Sequence, residues 1–195
     1  MNYSWVRHYQ RYEYAAVAPC IKNAFVADVG CGIFPLGAYA LTYFARMVFA
    51  IDPMVMSLNH IPHFGVFANP PDKVVIVKED LFEFCGKVDV VTAIEIFEHM
   101  PDPGKFIKHL AQMCTYAFIT TPLALETGTT SNPAHIAEYS SKDFDGIVGE
   151  YFNIEEKVYQ TGDLRIVDAI ETRGCDSYCS SHVVQMVWAR SKYGR

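Results

Sequence analysis

Val26-Ala27-Asp28-Val29-Gly30-Cys31-Gly32 is a short apolar run that ends in an acid and two glycines. Val26 and Val29 favour a buried strand, while Gly30 and Gly32 let the backbone turn tightly and approach a ligand with no Cβ in the way. Pro35 suits the first position of a helix, and Leu36, Tyr39, Ala40, Tyr43, Phe44 and Met47 continue at helical spacing. Strand, glycine turn and helix in that order form the opening unit of a nucleotide-binding α/β fold.

Charge narrows the nucleotide. A dinucleotide site takes three glycines and presents a helix N-terminus to a pyrophosphate, but Pro35 stands where the third glycine would fall and Asp28 sits beside the turn. An anion repels a pyrophosphate, which counts against the NAD of a dehydrogenase. The same carboxylate suits a cationic ligand, such as the ammonium and sulfonium of S-adenosylmethionine (SAM).

The motifs that follow keep to this plan. Asp28-Val29-Gly30-Cys31-Gly32 resembles the first motif of the class I SAM-dependent methyltransferases. Val48-Phe49-Ala50-Ile51-Asp52 resembles their second strand, with Asp52 placed to accept hydrogen bonds from the ribose hydroxyls. Val74-Val75-Ile76-Val77 with Glu79-Asp80-Leu81 resembles the third strand and the loop whose acid, here Asp80, binds the adenine amine. Val88-Asp89-Val90-Val91-Thr92-Ala93-Ile94-Glu95 resembles the fourth, and Glu98-His99-Met100-Pro101-Asp102-Pro103 is a run common after it in small-molecule methyltransferases. The resemblance covers nearly the whole chain and departs from the family at Ile33-Phe34, where many members carry another glycine. It implies a Rossmann-like, doubly wound and mostly parallel α/β sheet, with helices on both faces and a C-terminal antiparallel strand pair. It also implies a cofactor set of Asp28, Gly30, Gly32, Asp52, Asp80, Leu81 and Glu95.

With 195 residues, 51% of them hydrophobic and 19% charged, the chain suits a single domain spanning 1–195 and is too apolar to be disordered. A net charge of −6 counts against a broad phosphate-binding surface, so long nucleic acid is a poor default partner. The N-terminus has no apolar signal core, and the most hydrophobic region, 24–51, is broken by Asp28, the glycines, Pro35 and Arg46, so neither secretion nor membrane spanning is indicated. The six cysteines show no paired metal-ligand spacing, which fits reduced thiols in a cytoplasm; Cys175, Cys179 and His182 read as ordinary loop residues rather than a zinc site.

Elsewhere the pattern is legible in segments. Trp5, Tyr9, Tyr12 and Ala16 fall at helical spacing before Pro19, predicting an N-terminal helix within 1–22 that packs on the domain or covers the ligand as a lid. Met54, Met56, Leu58 and Ile61 form a short apolar helix or loop, His60 and His63 lack an acid beside them, and Asn69-Pro70-Pro71-Asp72 is a turn. Asp102 and Pro103 open a helix that runs to Cys114, and Ala117 to Pro122 follows as the fifth strand. The polar stretch 122–139 is long for a connection inside a domain and reads as a substrate loop. Ser140 then caps a helix with Asp143 as partner and Tyr139 set to staple on Phe144. Two β-rich segments, Ile154 to Gln160 and His182 to Arg190, close the chain, with the contribution of Leu164 to Ala169 left open.

The chemistry concentrates at Glu95, Glu98 and His99, just past the fourth strand where a methyltransferase holds its acceptor, and at His135, which precedes Glu138 in the substrate loop. Two carboxylates and two imidazoles can hold a divalent ion, so Glu95, Glu98, His99 and His135 are the candidate ligands for magnesium, manganese or zinc. The spacing resembles two metal-assisted groups: the O-methyltransferases of ubiquinone biosynthesis and the methyltransferases that modify the terminal 2′-hydroxyl of small RNAs. His135-Ile136-Ala137-Glu138-Tyr139-Ser140 resembles a segment of sugar and natural-product methyltransferases, and all three groups use oxygen acceptors. The resemblance therefore implies O-methylation of a small hydroxylated molecule, with Glu95, His99 and His135 as catalytic candidates. The RNA terminus and a SAM-binding scaffold without turnover remain as alternatives. Without a metal, the Glu98-His99 pair caps the next helix or orients a hydroxyl, and His99 or His135 serves as a general base.

Overall fold

The computed structural model describes residues 3–56, 72–124, 127–128, 132–169 and 183–193. The expectations for Leu58, His60, Ile61, His63, the first three residues of the 69–72 turn, and Cys175, Cys179 and His182 lie outside these residues, as does the side chain of Trp5. The chain packs as two compact units that divide after Ile94.

In the first unit the period-two valines and alanines form four short strands: β1 (Phe25–Val29), β2 (Met47–Ile51), β3 (Val74–Val77) and β4 (Val90–Ile94). β1 pairs in parallel with β2 and β4, and β2 with β3, so every strand end that carries an acid or glycine opens on the same edge. Strands buried on both faces need no polar alternation, and β4 is buried at all five positions. Two helices accompany the sheet, α1 (Tyr3–Ala16) and α2 (Leu36–Thr42). Pro35 occupies the cap position and α2 begins one residue later. The helix is also shorter than its apolar spacing suggested: it stops at Thr42, Tyr43 and Phe44 turn outward, and Met47 already belongs to β2. Seven residues suffice because all of α2 is buried, so packing rather than length stabilises it.

Gly37 shows how closely these helices pack. A Cβ built there would lie 2.2 Å from Cε2 and Cζ of Tyr12, whose ring is only 2% exposed. Tyr12 of the aromatic stripe of α1 thus packs in this unit, filling the space that Gly37 leaves.

The second unit contains α3 (Pro103–Met113), β5 (Tyr116–Pro122), α4 (Ser141–Tyr151), β6 (Phe152–Gln160), β7 (Ile166–Val167) and β8 (Val184–Ser191). Asp102 caps α3 by accepting from the Lys105 amide at 2.9 Å, and Ser140 caps α4 by accepting from the Asp143 amide at 3.2 Å. β8 runs antiparallel to both β5 and β6, and β7 resolves the open question at 164–169 by pairing Ile166 and Val167 with the end of β6. The strand order is β3-β2-β1-β4, all parallel, in the first unit and β5-β8-β6-β7, all antiparallel, in the second, in keeping with the α/β expectation.

Phe97 centres the second unit's core. Its ring, fully buried, meets Tyr139 at 4.8 Å, Phe144 at 5.1 Å and Phe106 at 6.3 Å, all edge to face. Tyr139 and Phe144, expected to staple, therefore meet on Phe97. Removing a ring so placed costs about 3–5 kcal/mol.

Candidate active site

In the first unit, the glycine turn is strained in the way its residues permit. Gly30 and Gly32 adopt φ of 68° and 74°, and a Cβ added at Gly32 would meet no atom within 4 Å, so the backbone there borders open space. Asp52 follows β2 and buttresses the turn: its Oδ2 accepts from the Gly32 amide at 3.1 Å and its Oδ1 from the Met54 amide at 2.7 Å. Asp80 is exposed and caps a short 3-10 turn, Leu81–Glu83, by accepting from the Phe82 amide at 2.9 Å, while Leu81 is buried.

Asp28 is fully buried on β1, where its Oδ1 accepts a hydrogen bond from the Thr92 hydroxyl at 2.8 Å. The Tyr12 phenol approaches the carboxylate and favours its ionised form without closing a well-formed hydrogen bond to Oδ2, which is buried without a partner. Burial pushes the Asp28 carboxyl up to about 7, against the help of Thr92 and Tyr12 and with a further push from the charge of Asp52. A buried carboxylate oxygen with no donor beside an open glycine turn suits a cation, which is the charge that SAM carries. Burial also pushes the Cys31 thiol far up, keeping it protonated and poorly nucleophilic.

In the second unit, Glu95 has a φ of 56°, in the left-handed region that residues other than glycine adopt uncommonly. Thr120 holds it there: the Thr120 hydroxyl accepts from the Glu95 amide at 3.1 Å and donates to its Oε1 at 3.2 Å. The neighbouring Thr121 hydroxyl donates to Glu98 Oε2 at 3.0 Å. Successive residues of a strand face opposite ways, so two adjacent threonines of β5 hold the two glutamates apart.

The candidate ligands divide accordingly. Glu98, His99 and His135 each offer one ligand atom within 4.8 Å of the others, whereas Glu95 rests on Thr120 outside this group. Glu98 is 1% exposed, lies on the turn Phe97–His99, and its carbonyl accepts from the amides of Ile136 and Ala137 at 2.9 and 3.3 Å, which ties the substrate loop to that turn. His99 bonds through Nδ1 to the Ala134 carbonyl at 2.9 Å, and His135 through Nδ1 to Glu138 Oε1 at 2.7 Å. The rings stand edge to face at 5.0 Å, and His135 Nε2 lies 3.9 Å from Glu98 Oε1. One carboxylate and two imidazoles anchored through Nδ1 form a donor set that fits a divalent ion.

Sequence reasoning placed Glu95, Glu98, His99 and His135 together, named Glu138 beside His135 without giving it a part, and gave none to Thr120, Thr121 or Asn132. Its available signal for Glu138 was the three-residue spacing from His135, which puts an acid within reach of an imidazole in a turn.

The family model for a methyltransferase domain matches residues 5–156. The chain belongs to that family. A ubiquinone biosynthesis O-methyltransferase of Xanthomonas campestris pv. campestris (strain B100) is 30% identical over 105 residues, 53% of this chain and 44% of that protein. Its counterpart from Escherichia fergusonii is 30% identical over 95 residues, 45% of this chain and 37% of that one. The methyltransferase thus matches less than half the length of these curated relatives. Its fold is that of solved SAM-dependent enzymes. A Burkholderia thailandensis 1,6-didemethyltoxoflavin-N1-methyltransferase with bound S-adenosylhomocysteine superposes with a TM-score of 0.70 at 14% identity, over 97% of this chain and 81% of that one. The magnesium protoporphyrin IX methyltransferase of Synechocystis PCC 6803 with bound SAM does so with a TM-score of 0.61 at 17% identity, over 95% and 80%. Among the described residues of the methyltransferase, no helix is long and apolar enough to cross a membrane.

Proposed function

We propose that this chain transfers the methyl group of SAM to an oxygen of a small hydroxylated molecule, using Glu98, His99 and His135 to hold a divalent ion. The observation that carries the reading is the pair of imidazoles anchored through Nδ1 on the Ala134 carbonyl and on Glu138, with a buried glutamate between the same elements. The names of the ubiquinone relatives support an oxygen acceptor, and the SAM and S-adenosylhomocysteine bound in the neighbours support the donor. A single catalytic domain is part of the reading, supported by a family match that runs through the unit boundary. So is a cytoplasmic location, which the free thiols of Cys31 and Cys85 support.

In this reading Asp28 meets the cationic end of SAM over the turn at Gly30 and Gly32, Asp52 takes the ribose hydroxyls, and Asp80 and Leu81 border the adenine. The acceptor oxygen would bond to the methyl carbon as the carbon–sulfur bond breaks with its electron pair left on sulfur, giving S-adenosylhomocysteine, and the hydroxyl proton would pass to solvent, or to His135 where that residue serves as base. Positioning carries most of the rate because the sulfonium already makes the transfer favourable. The strained Glu95, held by Thr120, is assigned to orienting the donor or acceptor. A bound divalent ion supplies Lewis acidity that lowers the acceptor hydroxyl's pKa, and two nitrogens with one oxygen suit zinc or manganese better than magnesium. The second reading, His135 as a plain general base, has its own support in the Glu138 carboxylate behind the ring.

Chelation separates the two. The protein is dialysed against EDTA and assayed for S-adenosylhomocysteine release with phenols and sugars; activity should vanish and return with manganese or zinc. Full activity in chelator removes the ion and leaves His135 as base. Failure to bind SAM in calorimetry ends the whole reading, and SAM binding without release across acceptor classes leaves the scaffold.

A further inference from the structure

Two residues outside the proposed ligand set grip His135 from opposite sides. Glu138, 2% exposed, takes Nδ1 through Oε1 at 2.7 Å, and the Asn132 side-chain nitrogen stands 3.1 Å from Nε2. The orientation of the Asn132 amide is fixed within the loop, because its Oδ1 accepts from the Ala134 amide at 3.0 Å and its Nδ2 must then face the imidazole. An amide NH₂ can only donate and a carboxylate can only accept. The ring between them has to carry its proton on Nδ1 and its lone pair on Nε2. The backbone agrees with this arrangement: the His135 amide donates to the Asn132 carbonyl at 3.0 Å, and the Glu138 carbonyl accepts from the Gly128 amide at 3.0 Å, so both partners sit in one pinned turn.

We infer that Glu138 and Asn132 are positioning residues that set the tautomer of His135, keeping its single Nε2 lone pair unprotonated on the Asn132 amide until a ligand or proton takes that donor's place. A histidine free in solution divides its proton between the two nitrogens, so a ligand or base that must use Nε2 loses part of its population to the wrong form. Here the selection is built into the substrate loop. The Asn132 donor also keeps Nε2 from meeting the nearby Glu98 carboxylate as a proton donor, which is the arrangement a bare imidazole 3.9 Å from that oxygen would adopt. The inference rests on the reading of His135 as a ligand or base for its use, while the tautomer itself is a property of the protein alone.

The test is long-range ¹H–¹⁵N NMR on the metal-free full chain labelled at histidine, with His135 assigned by the signals lost in His135→Gln. Wild type should show a protonated Nδ1 and a lone-pair Nε2. Glu138→Gln, whose amide oxygen still accepts, should keep that pattern, whereas Glu138→Leu should let the proton move to Nε2. Asn132→Asp preserves the acceptor for the Ala134 amide but places an acceptor at Nε2, and both ring nitrogens should then carry protons. Because Asn132 is exposed, this variant decides the matter if Glu138→Leu does not fold. A proton on Nε2 in wild type, an unchanged pattern in folded Glu138→Leu, or a bare Nε2 in Asn132→Asp overturns the inference. Manganese titration of the same samples keeps the two readings apart. Glu138→Leu should weaken binding by about 10–100-fold. No manganese or zinc binding in wild type sinks the metal reading and leaves the tautomer result to stand or fall by its spectrum.

Discussion

The two units treat their buried acids in opposite ways. In the second, the half-buried Glu95 meets Thr120, and the buried Glu98 and Glu138 meet Thr121 and His135. In the first, Asp28 is just as deeply buried, yet Oδ2 is left without a partner and the group is pushed up to about 7. A carboxylate satisfied internally is an instrument already set, and one left short is a vacancy for positive charge from outside the chain. Under the proposed function, the contrast separates a half that orients chemistry from a half that takes a cationic cofactor.

The largest effect that would break this division is on turnover. His135→Ala should lower methyl transfer by roughly two to four orders of magnitude, the usual share of a positioned base or ligand, while SAM affinity measured by calorimetry stays within a factor of about three. Loss of SAM binding in this variant would mean that the second unit's cluster serves the cofactor instead.

Asp28 gives the next effect, and its sign follows from the direction of its shift. The folded carboxyl titrates near 7 and the unfolded one near 3.8, so between these values the folded state binds the extra proton. Stability therefore falls as pH rises through that window, by at most about 4 kcal/mol, and is flat in this respect above and below it. Asp28→Asn should remove most of this slope in thermal melts from pH 4 to 8. It should also weaken SAM, and wild type should release a proton on binding SAM at pH 6, seen as buffer-dependent heat. Parallel melting curves for the two proteins would show that Asp28 is already paired and spoil the contrast.

Thr121→Val probes the satisfied half. It removes the donor to Glu98 Oε2 in a site 1% exposed, so unfolding by urea should show a loss of about 1–3 kcal/mol, the cost of leaving a buried acceptor unmade. No loss would mean that Glu98 finds another donor and that its position is not Thr121's doing.

How much of this was legible beforehand differs by unit. The parallel half could be read almost residue by residue, since Val74–Val77 and the acids after each strand follow local pattern and glycine chemistry. α2 was overextended because Tyr43, Phe44 and Met47 keep helical spacing while the chain must already turn back into β2; periodicity has no term for that return. In the second unit Glu98, His99 and His135 were visible as candidate ligands, but the separation of Glu95, the fourth candidate, from them was not. That depends on the pleat of β5, which gives Thr120 to one glutamate and Thr121 to the other, a relation between residues twenty-odd positions apart. The parts of Asn132 and Glu138 were hidden for a related reason: a tautomer is set by who donates to which ring nitrogen, and only coordinates reveal that.

The smallest expected effect tests whether α1 belongs to the core or to the ligand. Tyr12→Phe keeps the ring that fills the space over Gly37 and deletes only the phenol that approaches Asp28. Because Tyr12 is 2% exposed, packing should survive, and the net loss should not exceed the about 0.5–1.5 kcal/mol of a well-formed hydrogen bond, which the phenol does not close to Oδ2. The phenol helps the ionised form of Asp28, so the loss should be larger at pH 8, where that form is present, than at pH 5, where the carboxyl is protonated. SAM affinity should fall by less than about tenfold, since a single neutral hydrogen bond is worth no more than that. A drop of a hundredfold or more with the melting curve unchanged would reverse the assignment: the phenol would then be touching the cofactor, and the aromatic face of α1 would be a cover over SAM rather than a wall of the first unit.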